Sequence, residues 1–271
     1  MKTGEGQGGN NVIMIEMEKI SAGYGKNEIL HDVDFRAAGG EVTTLIGTNG
    51  SGKSTLLKVL LGFLDYREGE IRIDGVSVKS LSRPELARKI AYLPQGKTVP
   101  DVTVERMVLH GRFPYLNYPR RYGKRDRGIA EAAMKEMGIT EYAHRQMAEL
   151  SGGMRQKVYI AMAMAQQAEV IVMDEPTTYL DIGQQLKFAQ LMRQLSKKGR
   201  TIILVLHDIL LALKLSDRIA ALREGKIVMS GTPEEILKTN MIGQLYDVSV
   251  KAHGTENGVQ YFYDIADGTF R

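Results

Sequence analysis

Gly47-Thr48-Asn49-Gly50-Ser51-Gly52-Lys53-Ser54-Thr55 has the residue types and the spacing, G-x-x-x-x-G-K-[ST], of a loop that wraps the phosphates of a nucleoside triphosphate. Glycine at 47, 50 and 52 lets the backbone turn its N–H groups inward, where a side chain would collide with the ligand. Lys53 adds a point charge for the phosphate oxygens, and the Ser54 hydroxyl is a ligand for Mg²⁺. A helix beginning near Lys53 directs its positive end at the same anion. Context supports this chemistry: Val42-Thr43-Thr44-Leu45-Ile46 reads as a buried strand, and Leu56 to Leu61 as a helix packed on a sheet.

A second group of chemical residues stands at Val170-Ile171-Val172-Met173-Asp174-Glu175-Pro176, an apolar strand that ends in two carboxylates. Neighbouring positions on an extended chain point to opposite faces, so one carboxylate can hold metal while the other addresses water. Asp174 suits Mg²⁺ beside Ser54, and Glu175 suits the water that attacks the γ-phosphate. Leu204-Val205-Leu206-His207-Asp208 repeats the pattern, bringing His207 to a strand end where ligands of open α/β sheets bind. His31, His110, His144 and His253 lack such a setting and read as structural.

These residues need a scaffold that ends several strands on one edge. Residues 12–24 read as a first strand, turning at Gly23 to Asn27, with further short strands up to Ile46. Ile71 to Gly75 is a strand and turn, and Ser82-Arg83-Pro84-Glu85 is a capping box opening a short helix to about Ile90. Ala91 to Gln95 then leaves the sheet. From about 99 to 153 the pattern is helical, with Val104, Met107 and Val108, then Ile129, Ala132, Ala133 and Met137, at helical spacing. The Arg- and Tyr-rich segment Arg112 to Arg127 between them reads as a solvated loop or as a surface for acidic lipid.

Beyond the insert, strands near Val170, Ile202 and Ile219 alternate with helices near Gln184 and Leu210, which implies a mainly parallel sheet covered by helices. Thr232-Pro233-Glu234-Glu235 caps a last helix of the main domain, and Asn257-Gly258 between two β-prone runs predicts a hairpin. The expected organisation is a flexible tail at residues 1–11, an α/β nucleotide domain at 12–240 with the helical insert, and a β-hairpin extension at 241–271.

A chain of 271 residues with 43% hydrophobic residues can bury a full core. Thirty-six Lys and Arg against 32 Asp and Glu make a mixed surface, so nucleic acid is not an expected partner. The absence of cysteine excludes disulfides and cysteine metal sites. The first ten residues have no apolar stretch, and the run Thr201 to Leu215 is broken by His207-Asp208. Membrane work would require another chain to supply the spans.

Leu150-Ser151-Gly152-Gly153-Met154-Arg155-Gln156 resembles the signature L-S-G-G-x-x-Q of ATP-binding-cassette ATPases. The chain from about 12 to 240 carries the rest of that family's motifs in order, and the resemblance assigns their roles. Tyr24 matches the aromatic that stacks on adenine, Gln95 the Q-loop glutamine that senses γ-phosphate and Mg²⁺, Leu180-Asp181 the D-loop and His207 the switch histidine. The resemblance implies a P-loop core with N-terminal antiparallel strands. It further implies a head-to-tail homodimer around two ATP, in which Ser151, Gly152 and Gly153 of one copy complete the site formed by Lys53, Ser54, Asp174, Glu175 and His207 of the other.

One cassette, no long heptad insert and no fused membrane domain favour a bacterial importer subunit. Gly111-Arg112-Phe113-Pro114-Tyr115 and Thr177-Thr178-Tyr179-Leu180-Asp181 are similar to the subgroup serving iron–siderophore, haem and cobalamin permeases. The resemblance then implies an integral-membrane permease as partner, an extracytoplasmic binding protein acting indirectly, and residence at the cytoplasmic face of the membrane. Tyr179 departs from the small residue frequent at its position, and the C-terminal hairpin is too small to resemble a regulatory domain. A soluble ATPase of a cytosolic assembly machine, of the iron–sulfur biogenesis kind, stays open beside the importer.

Overall fold

Three strand segments carry no charged side chain before Asp174, and almost every residue in them is buried. Such runs form the centre of a parallel sheet, where both faces are covered. A computed structural model describes residues 12–95, 99–178, 180–256 and 258–264. The tail expected at residues 1–11, Tyr179 and Asn257 of the hairpin turn lie outside the described residues.

In chain order the strands are β1 (Ile13–Tyr24), β2 (Asn27–Ala38), β3 (Val42–Ile46), β4 (Tyr66–Ile73), β5 (Val76–Ser77), β6 (Ile90–Leu93), β7 (Val170–Asp174), β8 (Thr201–Val205), β9 (Arg218–Arg223), β10 (Lys226–Gly231), β11 (Ser249–Thr255) and β12 (Gly258–Asp264). The helices are α1 (Lys53–Leu60), α2 (Arg83–Lys89), α3 (Val104–His110), α4 (Lys124–Glu136), α5 (Gly152–Gln166), α6 (Ile182–Lys197), α7 (Ile209–Leu215), α8 (Pro233–Lys238) and α9 (Met241–Tyr246). The main sheet has the order β10-β9-β3-β8-β7-β6, parallel except for β10.

Alternation along each central strand feeds two cores, because successive side chains of a strand leave on opposite faces. Leu45, Val172 and Val205 pack with α1 against a second, antiparallel sheet of order β2-β1-β4-β5. Ile46, Ile171, Met173 and Leu204 face the other way and join the helices. Register levels the strand ends: Leu45 and Asp174 both stand beside Val205. The chain therefore leaves β3, β7 and β8 at one height.

The region between β6 and β7 is helical, as expected, but two details differ from the sequence expectation. Ile90–Leu93 is the edge strand of the main sheet, so the chain leaves the sheet at Pro94 rather than at Ala91. In α4 the buried positions are Ala130, Ala133 and Met134, with Met137 just beyond, whereas Ala132 faces solvent. The i, i+3, i+4, i+7 set starts one residue later than Ile129 because packing on α5 chose the helix's rotation.

Most of the segment Arg112 to Arg127 lies at the surface, but Arg112 does not. Its side chain is 3% exposed, and its guanidinium donates to Ala165 O (2.8 Å), Gln167 Oε1 (3.0 Å) and Asp126 Oδ1 (3.2 Å) while lying 3.8 Å from the centre of the Tyr115 ring. Gly111 permits this approach, since a Cβ there would fall 2.1 Å from Met162 O on α5. The guanidinium thus ties the end of α3 to the end of α5 and the start of α4. At the C-terminus, α9 has no counterpart among the elements expected from the sequence; it packs on α8 and β11, and the antiparallel pair β11–β12 lies against α7.

Replacing Arg112 by Ala leaves a half-buried carboxylate and two acceptors without the guanidinium, a loss of about 3 kcal/mol. Urea unfolding should show that loss. Arg112→Lys should recover less than half of it, because an ammonium cannot fork to three acceptors on two helices.

Candidate functional site

The phosphate loop joins β3 to α1 with three glycines in backbone conformations open mainly to glycine: φ is 152° at Gly47, 79° at Gly50 and 107° at Gly52. At Gly47 the surroundings also forbid a side chain, since a Cβ would lie 2.2 Å from Leu222 O and 2.7 Å from Ser51 Oγ. Gly52 is the N-cap of α1 and offers no side chain to its first turn, which leaves that turn's N–H groups for an anion.

Lys53 is 7% exposed and folds back along the loop, donating to Gly47 O (2.7 Å) and Thr48 O (3.0 Å). An ammonium has three N–H donors, so one remains for a phosphate oxygen. Burial lowers the Lys53 pKa, and the charges of Glu175 and Asp174 act against that fall.

Asp174 ends β7 beside the Ser54 hydroxyl. Its pKa is raised, chiefly by burial and next by the charge of Glu175, with Lys53, Ser54 and His207 opposing. Its Oδ1 is buried with no hydrogen-bond partner. A buried carboxylate oxygen without a donor, next to a hydroxyl, fits a hard cation that takes oxygen ligands. Ser54 and Asp174 are the residues that would hold Mg²⁺ there.

Glu175 is oriented by several donors. His207 Nε2 donates to Oε1 and Gln95 Nε2 to Oε2, each at 2.5 Å, and Thr178 Oγ1 approaches Oε2 at 3.3 Å. Its N–H donates to Val205 O (3.1 Å), and its φ of 48° lies in the left-handed region. Strand alternation therefore is not what separates Glu175 from Asp174, because the chain has already turned out of β7 at Glu175. Gln95, which the family resemblance sets beside a metal ion, uses its amide to hold Glu175.

Three further groups of predicted residues stand around this centre. Tyr24, 46% exposed at the end of β1, accepts from Lys58 Nζ of α1 (3.2 Å) and leaves much of its ring open to solvent. The Ser151 hydroxyl caps α5 by accepting from Met154 N (3.4 Å), and Asp181 caps α6 through Gln184 N (2.8 Å). A Cβ on Gly153 would touch the Gln184 side chain at 3.0 Å, so these two helix starts adjoin. Gly152 lines a cleft of about 750 Å³ together with Gln95, Val99, Met107, Tyr159 and Glu175.

Two neighbours of the site carry no signal in the sequence. Thr178 sits three residues after Glu175, a spacing that suits a turn, yet nothing in its pattern announces a contact with the carboxylate. Tyr246 accepts the Gly47 N–H at 2.6 Å across 199 positions, a separation that no local signal spans.

Glycine-rich phosphate loop, buried lysine, and carboxylates and histidine on the ends of the next two strands define a P-loop nucleotide-binding α/β protein. The family profile described as ABC transporter matches residues 30–178. This chain belongs to the ABC transporter family. It is 38% identical over 239 residues to the iron(3+)-hydroxamate import ATP-binding protein FhuC of Bacillus subtilis (strain 168), covering 88% of this chain and 89% of the relative. It is likewise 38% identical over 238 residues to the ferric enterobactin transport ATP-binding protein FepC of Escherichia coli (strain K12), covering 87% and 88%. A solved nucleotide-free ATP-binding cassette from an ABC transporter superposes with a TM-score of 0.77 at 25% identity, covering 85% of this chain and 95% of that one.

The raised pKa of Asp174 carries a sign. A carboxyl whose folded pKa lies above its unfolded value favours the folded state only as it takes up a proton, so at neutral pH the ionised Asp174 works against folding. Asp174→Asn should therefore raise the melting temperature of the nucleotide-free protein at pH 7 to 8. The gain should shrink as pH falls through the raised value and vanish below the ordinary 3.8. A thermal unfolding series across pH checks it.

Proposed function

We propose that this chain is the ATP-hydrolysing subunit of an importer of iron–siderophore complexes, acting as a pair of copies on a separate membrane-spanning permease. The observation that carries the hydrolytic part is the fixed carboxylate: Glu175 is held by His207, Gln95 and Thr178 on the same sheet edge as Lys53.

The loop N–H groups and the remaining Lys53 donor grip the phosphates of ATP, and Tyr24 stacks on the base. Mg²⁺, when bound at Ser54 and Asp174, neutralises charge on the phosphate oxygens. Glu175 orients the attacking water and accepts its proton. The water oxygen bonds to the γ-phosphorus as the bridging bond breaks, and ADP departs with the electron pair. His207 gives up its bond to Glu175 and holds the γ-phosphate oxygens. Thr48, Asn49, Ser51 and Thr55 shape the loop around the same phosphates.

The second copy enters through Ser151, Gly152 and Gly153, whose capped helix start closes over the phosphate of its partner, with Asp181 beside it. Loss of the γ-phosphate loosens that pair. Gln95 belongs both to the Glu175 site and to the cleft with Val99 and Met107, which receives a cytoplasmic helix of the permease. The hydrolytic state thereby reaches the permease as movement of the helical region.

Among the described residues no helix is long and apolar enough to cross a membrane, which suits a subunit held at the cytoplasmic face by its permease. The relatives named as siderophore and hydroxamate import proteins favour an iron chelate as cargo over an assembly-machine role. An extracytoplasmic binding protein would deliver that cargo to the permease.

Glu175→Gln should keep ATP affinity within a few-fold and reduce phosphate release by about 10²- to 10⁴-fold. With ATP it should elute as a dimer. Phosphate release near the wild-type rate would show that Glu175 is not the group that activates water, and co-purification with a cytosolic scaffold instead of a polytopic membrane chain would favour the assembly machine.

A further inference from the structure

The last described segment of the chain reaches back to both halves of the nucleotide site. Ile242 and Leu245 bury one side of α9 in the helical core, and Tyr246 at its end extends to the phosphate loop. There its hydroxyl oxygen accepts the Gly47 N–H at 2.6 Å, and the Gly47 carbonyl accepts from Lys53 at 2.7 Å. Both polar groups of this one residue are thus engaged, the first by the C-terminal segment and the second by the phosphate-binding lysine. Burial pushes the Tyr246 phenol up to about 12, consistent with a neutral hydroxyl held among apolar atoms.

The hairpin packs beside the other half: strand β12 lies along α7, which begins two residues after His207. The rest of the extension makes a poor independent unit: a two-stranded ribbon is marginal alone, and Val259, Phe262 and Tyr263 are left largely exposed. Its ordered attachment runs through α9 and these contacts.

We propose that Tyr246 is a positioning residue of the ATP site: it holds Gly47, and through it Lys53, in the geometry that grips phosphate. This inference rests on the hydrolytic reading above and adds a role for the C-terminal extension within it. Loss of the Tyr246 bond frees the start of the loop and weakens binding.

The experiment uses the full chain and two single variants that keep ring packing: Tyr246→Phe and, as a control in the hairpin, Tyr261→Phe. Each is measured for melting temperature, affinity for a fluorescent ATP analogue with Mg²⁺, and steady-state ATPase kinetics. Loss of one net hydrogen bond corresponds to about a five-fold change. Tyr246→Phe should raise Kd and KM by about that factor with kcat within two-fold. Tyr261→Phe should match wild type.

Hydrogen exchange without nucleotide gives a readout independent of turnover: Tyr246→Phe should speed exchange in the peptide spanning residues 45–52, leaving the strand peptide 170–174 protected. Unchanged kinetics and exchange in Tyr246→Phe overturn the proposal. So does an equal effect in Tyr261→Phe, which would reduce the contacts to general stability. A wild-type chain that fails to bind or hydrolyse ATP instead overturns the hydrolytic reading on which the proposal stands.

Discussion

Parallel hydrogen bonding between β3, β8 and β7 is the constraint from which the rest of the site follows. Its register sets Leu45 and Asp174 level with Val205, so three connections leave the sheet within a few ångströms of the same height. A slip of one residue in any of these pairings would turn each strand's apolar side chains to the wrong core and move its polar end residue off the edge. Burial on both faces makes that slip costly: Val42, Leu45, Ile171, Val172, Ile203 and Leu204 have at most 1% of their surface exposed. The precision of the site thus derives from apolar packing several residues away from the chemistry.

On that edge the protein keeps groups that work against its own stability. Lys53 is buried, Asp174 has an oxygen without a donor, and Glu175 stands in a left-handed conformation unusual for its type. The buried Lys53 charge and the unpaired Asp174 oxygen fit a phosphorylated ligand that carries a cation. The donors around Glu175 show how the nucleotide-free chain manages: His207, Gln95 and Thr178, drawn from three different connections, share one carboxylate.

The peripheral elements keep that edge connected to distant parts of the chain. Arg112 welds the ends of α3 and α5 through backbone and side-chain acceptors. On the opposite side the Tyr246 hydroxyl bonds the Gly47 N–H and ties α9 to the phosphate loop.

Much was legible from the amino-acid string because its physics is local. The phosphate loop, the apolar strands ending at Asp174 and His207, the capping boxes at Ser82 and Thr232, and the hairpin strands all depend on steric and hydrogen-bonding rules that act within a few residues. Tertiary structure alone decided what depends on distant partners. The rotation of α4, which buries Ala130 in place of Ala132, followed from packing on α5. The burial of Arg112, in a segment whose composition suggests solvent, needed acceptors more than fifty residues away. Gln95 and Thr178 met Glu175, and Tyr246 met Gly47, only once the sheet register and the return of α9 had brought them together, because a side chain's partner across the fold leaves no trace in its own neighbourhood of sequence.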